Sequence, residues 1–441
     1  MPSELLPHCC ALWRPPPPLP APLSSALGLT PPRPFSLARR SLRPAAKSSA
    51  HGRAPAPPPA SRRRRRRPRP GPGLIDQAFS RFRHREVVHL SRLRNGLNVL
   101  ELWHGVTYAF KDLSLCCTAQ FLQYFLEKKE KHVTVVVGTS GDTGSAAIES
   151  VQGAKNMDII VLLPKGHCTK IQELQMTTVL RENVHVFGVE GNSDELDEPI
   201  KAVFADVAFV KKHNLMSLNS INWSRVLVQM AHHFFAYFQC APSLDMDPLP
   251  RVEVVVPTGA AGNLAAGCLA QKMGLPVRLV VAVNRNDIIH RTVQQGDFSL
   301  SEAVEQTLAS AMDIQVPYNM ERIFWLLSGS NSQVTRALME QFERTHSVSL
   351  PKELHSKLSG AVTSESVSDE AITQTMARCW EENKYLLCPH SAVAVSYHYQ
   401  QTEQQPPRYR PWAPGSLGYS GFQGPFFPPS RGDGSPNKWL Y

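Results

Sequence analysis

The sequence predicts an α/β protein in which a parallel sheet is covered by helices on both faces. Three observations carry that expectation. Short, apolar, β-branched runs alternate with longer segments of helical periodicity, as in strand–helix–strand units. Two of those runs end in glycine-rich loops that open directly into a helix. At 441 residues the chain has room for a sizeable core and for two or three domains.

Residues 1–73 are set apart by composition. They contain 19 of the 37 prolines and the block Arg62–Arg67, cannot bury a core, and are expected to be a disordered tail. Globular sequence begins at Leu74. The apolar, aromatic stretch Val106–Phe110 leads to Lys111. From Asp112 to Lys129, Leu113, Cys116, Cys117, Phe121, Tyr124 and Phe125 recur at helical spacing. His132–Val137 reads as a strand, Gly138–Gly144 as a loop and Ser145–Gln152 as a helix. Asp158–Leu163, closed by Pro164, reads as a buried strand, Lys170–Arg181 as a helix and Val184–Val189 as a strand. Ser193 is placed to cap a long helix reaching Lys211, with Glu195, Asp197 and Glu198 where the helix dipole favours acids. Asn222–Gln239 is an amphipathic helix. Val252–Val256 is a strand, Pro257–Gly262 a loop into a further helix, and Arg278–Val283 another strand. Residues 287–400 read as mainly helical. Residues 401–441, rich in proline, glycine and aromatics, read as a second disordered tail.

The net charge of +10 belongs to an appendage. Residues 1–73 hold fourteen Lys and Arg against the single acid Glu4, so the remainder carries −3. The body gives no reason to expect a nucleic-acid partner. Nine scattered cysteines, two sets of them adjacent and none in a CxxC, indicate reduced thiols and no metal site. No apolar run approaches the ~18 residues of a membrane span, so no membrane partner is expected. The tail resembles a mitochondrial transit peptide in its Arg, Ser, Ala and Pro content, but its prolines oppose the amphipathic helix such a signal needs. A nuclear or heparin-type patch and a solvated tail without a role are the alternatives. The expected compartment is the cytoplasm, with mitochondrial and secreted locations as the other options.

Three stretches carry chemistry. Lys111 stands at a helix start behind an apolar run. Desolvation and the positive end of the helix both favour its neutral amine, the form that condenses with an aldehyde. A snorkelling surface lysine is the bland alternative. The loop Gly259-Ala260-Ala261-Gly262-Asn263 offers backbone N–H groups and a helix N-terminus to a phosphate, in neither the Walker nor the GxGxxG pattern. The loop Thr139-Ser140-Gly141-Asp142-Thr143-Gly144 is a second cradle with added hydroxyls and a carboxylate; alone it would be a helix-capping turn. An activated lysine with two anion cradles suits a phosphorylated aldehyde cofactor and an anionic substrate, and pyridoxal 5'-phosphate meets the first requirement.

With these motifs the chain resembles the threonine synthase family, pyridoxal-phosphate enzymes of the second fold type with a tryptophan synthase β-like core. The resemblance runs from about Leu74 to Gln400. Glu101–Asp112 is similar to the family's Schiff-base segment, Thr139–Gly144 to the loop that binds the amino-acid substrate, and Val256–Asn263 to the cofactor-phosphate loop. Asn284–Asp287 and Ala311–Ile314 match two further segments. Pro389–Val393 is similar to the segment whose hydroxyl meets the pyridine nitrogen, here that of Ser391. The resemblance implies two lobes with the cofactor between them and Lys111 as Schiff base and general base. It places Gly259, Ala260, Ala261, Gly262 and Asn263 at the cofactor phosphate and Asp142 near the ring hydroxyl. Thr139, Ser140, Gly141 and Thr143 fall to the substrate. The implied chemistry is loss of phosphate from O-phosphohomoserine, giving 2-oxobutanoate, ammonia and phosphate, or threonine by water addition. The implied partner is a small phosphorylated amino acid, with a homodimer among the assemblies this fold type allows. Departures are Val106 in place of proline, Arg285 in place of an acid, Ala260-Ala261 in place of an Asn-Phe pair, and both ends of the chain. The exchanged ends motivate the alternative of a catalytically inactive variant acting as a secreted or interaction protein.

Overall fold

The computed structural model describes residues 72–139, 141–166, 168–190, 193–404 and 416–420. Among the described residues the chain enters the largest of three sheets first. Helix α1 (Pro72–Phe79) precedes the antiparallel pair β1 (His89–Arg92) and β2 (Asn98–Glu101). Helix α2 (Lys111–Lys129) then leads into the smaller sheet through β3 (Val133–Gly138), α3 (Asp142–Val151), β4 (Met157–Pro164) and α4 (Lys170–Thr177). It is completed by β5 (Val184–Val189), α5 (Ser193–Ala205), α6 (Val207–His213) and β6 (Leu215–Ser217). Its order is β5-β4-β3-β6, every pairing parallel.

Helix α7 (Trp223–Cys240) returns the chain to the large sheet. There follow β7 (Val252–Pro257), α8 (Gly262–Lys272), β8 (Val277–Val283), α9 (Ile288–Gln295) and β9 (Asp297–Ser299). Helices α10 (Met320–Leu327) and α11 (Ser332–Thr345), strand β10 (Ser347–Ser349) and helix α12 (Lys352–Ala361) come next. The order closes with β11 (Val362–Ser366), α13 (Asp369–Asn383), α14 (Pro389–Gln404) and β12 (Ser416–Ser420). The large sheet runs β1-β2-β12-β7-β8-β11 and is parallel apart from β1. Strands β9 and β10 form a separate antiparallel pair.

The apolar runs follow from burial on both faces. On β7 and β8, Val254, Val256, Leu279 and Val281 enter one core with α7, α8 and α10, while Val255, Val280 and Ala282 enter another with α13 and α14. The small sheet has its own core around Val135, Val137, Ile159 and Val161, closed by Ala146, Ala147 and Ile148 of α3. At the carboxyl ends of β3 and β7, Gly138 and Pro257 open into the two glycine-rich loops, where helix N-termini face ligands in parallel α/β sheets.

Several boundaries differ from those expected. The helix placed at Ser145 begins at Asp142, so Asp142 and Thr143 belong to its first turn. The helix expected to reach Arg181 ends at Thr177. The long helix expected from Ser193 to Lys211 breaks at Asp206, whose side chain accepts from Phe209 N and starts α6. Strand β11 lies within the region read as helical; its five residues have too little length to register as a period. The C-terminal tail is not irregular throughout. Helix α14 reaches Gln404, and Ser416–Ser420 pairs with β2 on one side and β7 on the other. Backbone pairing from both flanks, which composition cannot report, makes that strand. The expected N-terminal tail lies, up to residue 71, outside the described residues.

Candidate active site

Lys111 is the first residue of α2, and the turn before it is tied to the residue that follows it. Asp112, fully buried, accepts from Thr107 N at 2.8 Å and Thr107 Oγ1 at 2.7 Å. Gly105 packs so closely on the Asp112 carboxylate that no side chain fits there. Burial pushes the Asp112 carboxyl up to about 6, against the two hydrogen bonds from Thr107. Further back, His104 Nε2 lies 2.8 Å from Glu101 Oε2 and its Nδ1 lies 2.7 Å from the Glu86 carbonyl. Two acceptors require both ring nitrogens to donate, so His104 is an imidazolium. Burial works against that charge, but Glu101 and the Glu86 carbonyl prevail and its pKa is raised. Tyr385 donates to Glu101 Oε1 at 2.8 Å, fixing this segment to the α13–α14 connection.

The Lys111 side chain is largely enclosed, 13% exposed, with Nζ 3.4 Å from Asp142 Oδ2 and 5.1 Å from the centre of the Phe110 ring. Burial lowers its pKa; Asp142 opposes that shift and Arg225 adds to it. Asp142, in the first turn of α3, also accepts from Gln172 Nε2 of α4 at 2.8 Å. The Thr139 hydroxyl is used within its own loop, accepting from Gly141 N at 3.0 Å and Gly144 N at 3.2 Å. Gly141 has φ 156°, and a Cβ there would lie 2.5 Å from the Gln172 amide. Thr143 is half-buried one residue beyond Asp142, and Ser140 lies outside the described residues.

In the second loop Ala261 takes a left-handed backbone, φ 59°, and Gly262 starts α8. Asn319 Nδ2 holds the Ala260 carbonyl at 2.8 Å. A Cβ on Gly259 would approach Met312 Cα at 3.1 Å, and one on Gly262 would lie 3.4 Å from both Asn319 Nδ2 and Gln229 Oε1. The Asn263 side chain turns aside: His233 Nε2 is 2.7 Å from its Oδ1 and 3.1 Å from its carbonyl. Burial pushes His233 down to about 4, so the neutral ring donates to Asn263. Ser391 is buried in the first turn of α14, its Oγ 3.2 Å from Cys388 Sγ. Beside it His390 Nε2 accepts from Ala311 N at 3.1 Å, and burial pushes this histidine down to about 4.

Residues missed by sequence reasoning complete the site. Arg225 and Gln229, one turn apart on α7, are buried, and His232 and His233 continue the same buried stripe. Arg225 Nη1 donates to the Leu218 carbonyl at 3.1 Å, whereas its Nε, Gln229 Oε1 and Asn219 Oδ1 have no hydrogen-bond partner among the described residues. No described carboxylate pairs with Arg225; burial lowers it to about 10, which leaves it charged at neutral pH. The readable signal was polar residues at helical spacing on the buried side of an amphipathic helix. Gln172 gave none beyond its place three residues into α4, and Cys388 none at all.

These residues fit a phosphorylated aldehyde. An amine of lowered basicity, a backbone cradle crowded at Gly259, and buried polar atoms without partners among the described residues are what such a group requires. Two parallel-sheet lobes meeting at such a lysine define a pyridoxal-phosphate enzyme of the second fold type. The family model described as "Pyridoxal-phosphate dependent enzyme" matches residues 86–410. Human threonine synthase-like 2 is 91% identical over 334 residues, 76% of this chain and 69% of that protein. The pyridoxal-phosphate-bound threonine synthase of Brucella melitensis superposes with a TM-score of 0.72 at 32% identity, covering 80% of this chain and 73% of that one. Yeast threonine synthase gives 0.71 at 34% identity, covering 79% and 72%. The chain belongs to the pyridoxal-phosphate-dependent enzymes, in their threonine synthase-like branch, and pyridoxal 5'-phosphate is its cofactor. Among the described residues no helix is long and apolar enough to cross a membrane, and no cluster of three or more His, Cys, Asp or Glu is arranged to hold a metal.

Proposed function

We propose that the chain is a phospho-lyase for O-phosphohomoserine-type amino acids. Arg225 carries the reading. A buried guanidinium without a carboxylate, beside the Lys111 amine, is costly unless an anion compensates it. The α8 cradle suits the cofactor phosphate, which leaves Arg225 for the phosphate of the substrate. Bound pyridoxal phosphate supplies the electron sink that makes hydrogens near the substrate nitrogen acidic. Lys111 Nζ moves those protons, and its lowered pKa favours the neutral amine that is free to accept them. Asp142, 3.4 Å away, balances the charge when Nζ is protonated. Phosphate leaves from the γ-carbon toward Arg225. Water balances either outcome: with one water O-phosphohomoserine gives 2-oxobutanoate, ammonia and phosphate, or threonine and phosphate. The Ser391 hydroxyl, unlike a carboxylate, does not hold the ring nitrogen protonated, which favours elimination and replacement over transamination.

The test is phosphate release from O-phosphohomoserine by the chain loaded with cofactor. Arg225→Met is expected to lower kcat/KM by about 100-fold, the size of a lost hydrogen bond to a charged group, while cofactor absorbance is retained. A cofactor-loaded wild type that releases no phosphate would refute the proposal.

A further inference from the structure

We propose that Gln172 is a positioning residue: it holds the Asp142 carboxylate in place against the Lys111 nitrogen. The inference rests on the reading of Lys111 as the cofactor lysine. The geometry is a relay across three elements. Thr169 caps α4, and Gln172 stands three residues on in a capping box. Gln172 Oε1 accepts from Thr169 Oγ1 at 3.0 Å and Thr169 N at 3.2 Å. Gln172 Nε2 donates to Asp142 Oδ1 at 2.8 Å, and Asp142 Oδ2 faces Lys111 Nζ at 3.4 Å.

The amide has one workable orientation. Turned over, its oxygen would face the carboxylate and its NH2 the Thr169 N–H, so both contacts would become repulsive. Gly141 makes the approach possible, since a side chain there would strike the amide carbon and nitrogen at 2.5 Å. Each carboxylate oxygen of Asp142 thus has a separate task, one anchored by α4 and the other presented to the lysine. Without the anchor the carboxylate is free to rotate, and Lys111 loses the negative charge that opposes its burial.

The readout is therefore the pH at which the lysine-bound cofactor changes its absorbance, a quantity that helix stability alone does not move. The other ionisable groups around Lys111 are Asp112 from α2, Arg225 from α7 and His390 from α14. All are unchanged in the variants. Gln172→Met keeps the volume and removes the donor, and Gln172→Asn keeps the amide but shortens its reach. Gln175→Met is the control on the same helix; Gln175 Nε2 lies 3.4 Å from the Thr107 carbonyl and does not touch Asp142.

In the full chain with pyridoxal phosphate, both Gln172 variants are expected to lower the titration midpoint by about 1 pH unit, the lower end of what an opposite charge at this range contributes. Gln175→Met leaves it unchanged. A wild-type band whose midpoint is the same in all four proteins would overturn this inference alone. So would loss of the cooperative thermal transition in both Gln172 variants, which would make the residue purely structural. No band in wild type would overturn the reading of Lys111 itself, and this inference with it.

Discussion

Asp112 offers the sharpest test of how the lysine is aimed. Its carboxyl is fully buried, is held by two hydrogen bonds from Thr107, and is pushed from 3.8 up to about 6 by burial. A carboxyl whose folded pKa lies above its unfolded value carries no cost below the unfolded value, where both states hold the proton. As pH rises from about 4 to about 6 the unfolded chain releases its proton first, so stability falls. Above about 6 the loss is constant. Two pK units correspond to about 3 kcal/mol, of which roughly 2 kcal/mol falls between pH 4.5 and 7.5.

Asp112→Asn removes the titration and keeps the shape. The amide oxygen still accepts from Thr107 N, and the Thr107 hydroxyl turns to accept from the amide nitrogen. Relative to wild type the variant is expected to gain about 2 kcal/mol between pH 4.5 and 7.5. The comparison cancels every other titrating group. Urea unfolding of both proteins at a series of pH values measures the gain as a difference in midpoints at constant m. Parallel stability curves across that range would show that Asp112 is not desolvated as its position indicates, and the account of the Lys111 turn would fail with it.

Two further outcomes follow from the same geometry. Gly262→Ala places a methyl at ordinary contact distance, 3.4 Å from Asn319 and Gln229, within a helix. Its folding stability should hold or rise by up to about 1 kcal/mol while pyridoxal phosphate binds at least about tenfold more weakly, measured by chemical denaturation and cofactor titration. His104 has a raised pKa through Glu101, so its stabilisation is fully present below about pH 6.5, its unfolded value, and is lost as pH rises through the higher folded value. His104→Gln should remove that alkaline decline, and a wild type whose stability is flat from pH 6.5 to 9 would contradict the imidazolium assignment.

The fold was legible where burial on two faces writes apolar runs, as in β4, β7 and β8, and where loops must hold glycine, as before α3 and α8. It was illegible where pairing alone makes a strand. Strand β12 contains two serines and a glycine, yet it lies between β2 and β7, and β11 is an edge of five residues. The enclosure of Lys111 at a helix start was readable because it follows from the apolar run before it and the helical period after it, which sequence displays. Gln172 was not, because it acts on a residue that packing brings near, Asp142 across 30 positions; Cys388 lies only three residues before Ser391, but a lone cysteine beside a helix start carries no pattern that marks such a contact.

Helix α7 shows why function and fold are read at different depths. Its sequence registers as amphipathic, and by that measure its inner face should be apolar. That face instead carries Arg225, Gln229, His232 and His233, all buried, and Arg225 Nε and Gln229 Oε1 have no hydrogen-bond partner among the described residues. A helix selected only for packing would not retain them, since an unpaired buried donor or acceptor costs about 1–3 kcal/mol and an unpaired buried charge more. The conflict between local pattern and global fold therefore points to a ligand: among the described residues the unpartnered Arg225 Nε is a donor suited to an anion, and the unpartnered Gln229 Oε1 is an acceptor suited to a donor group.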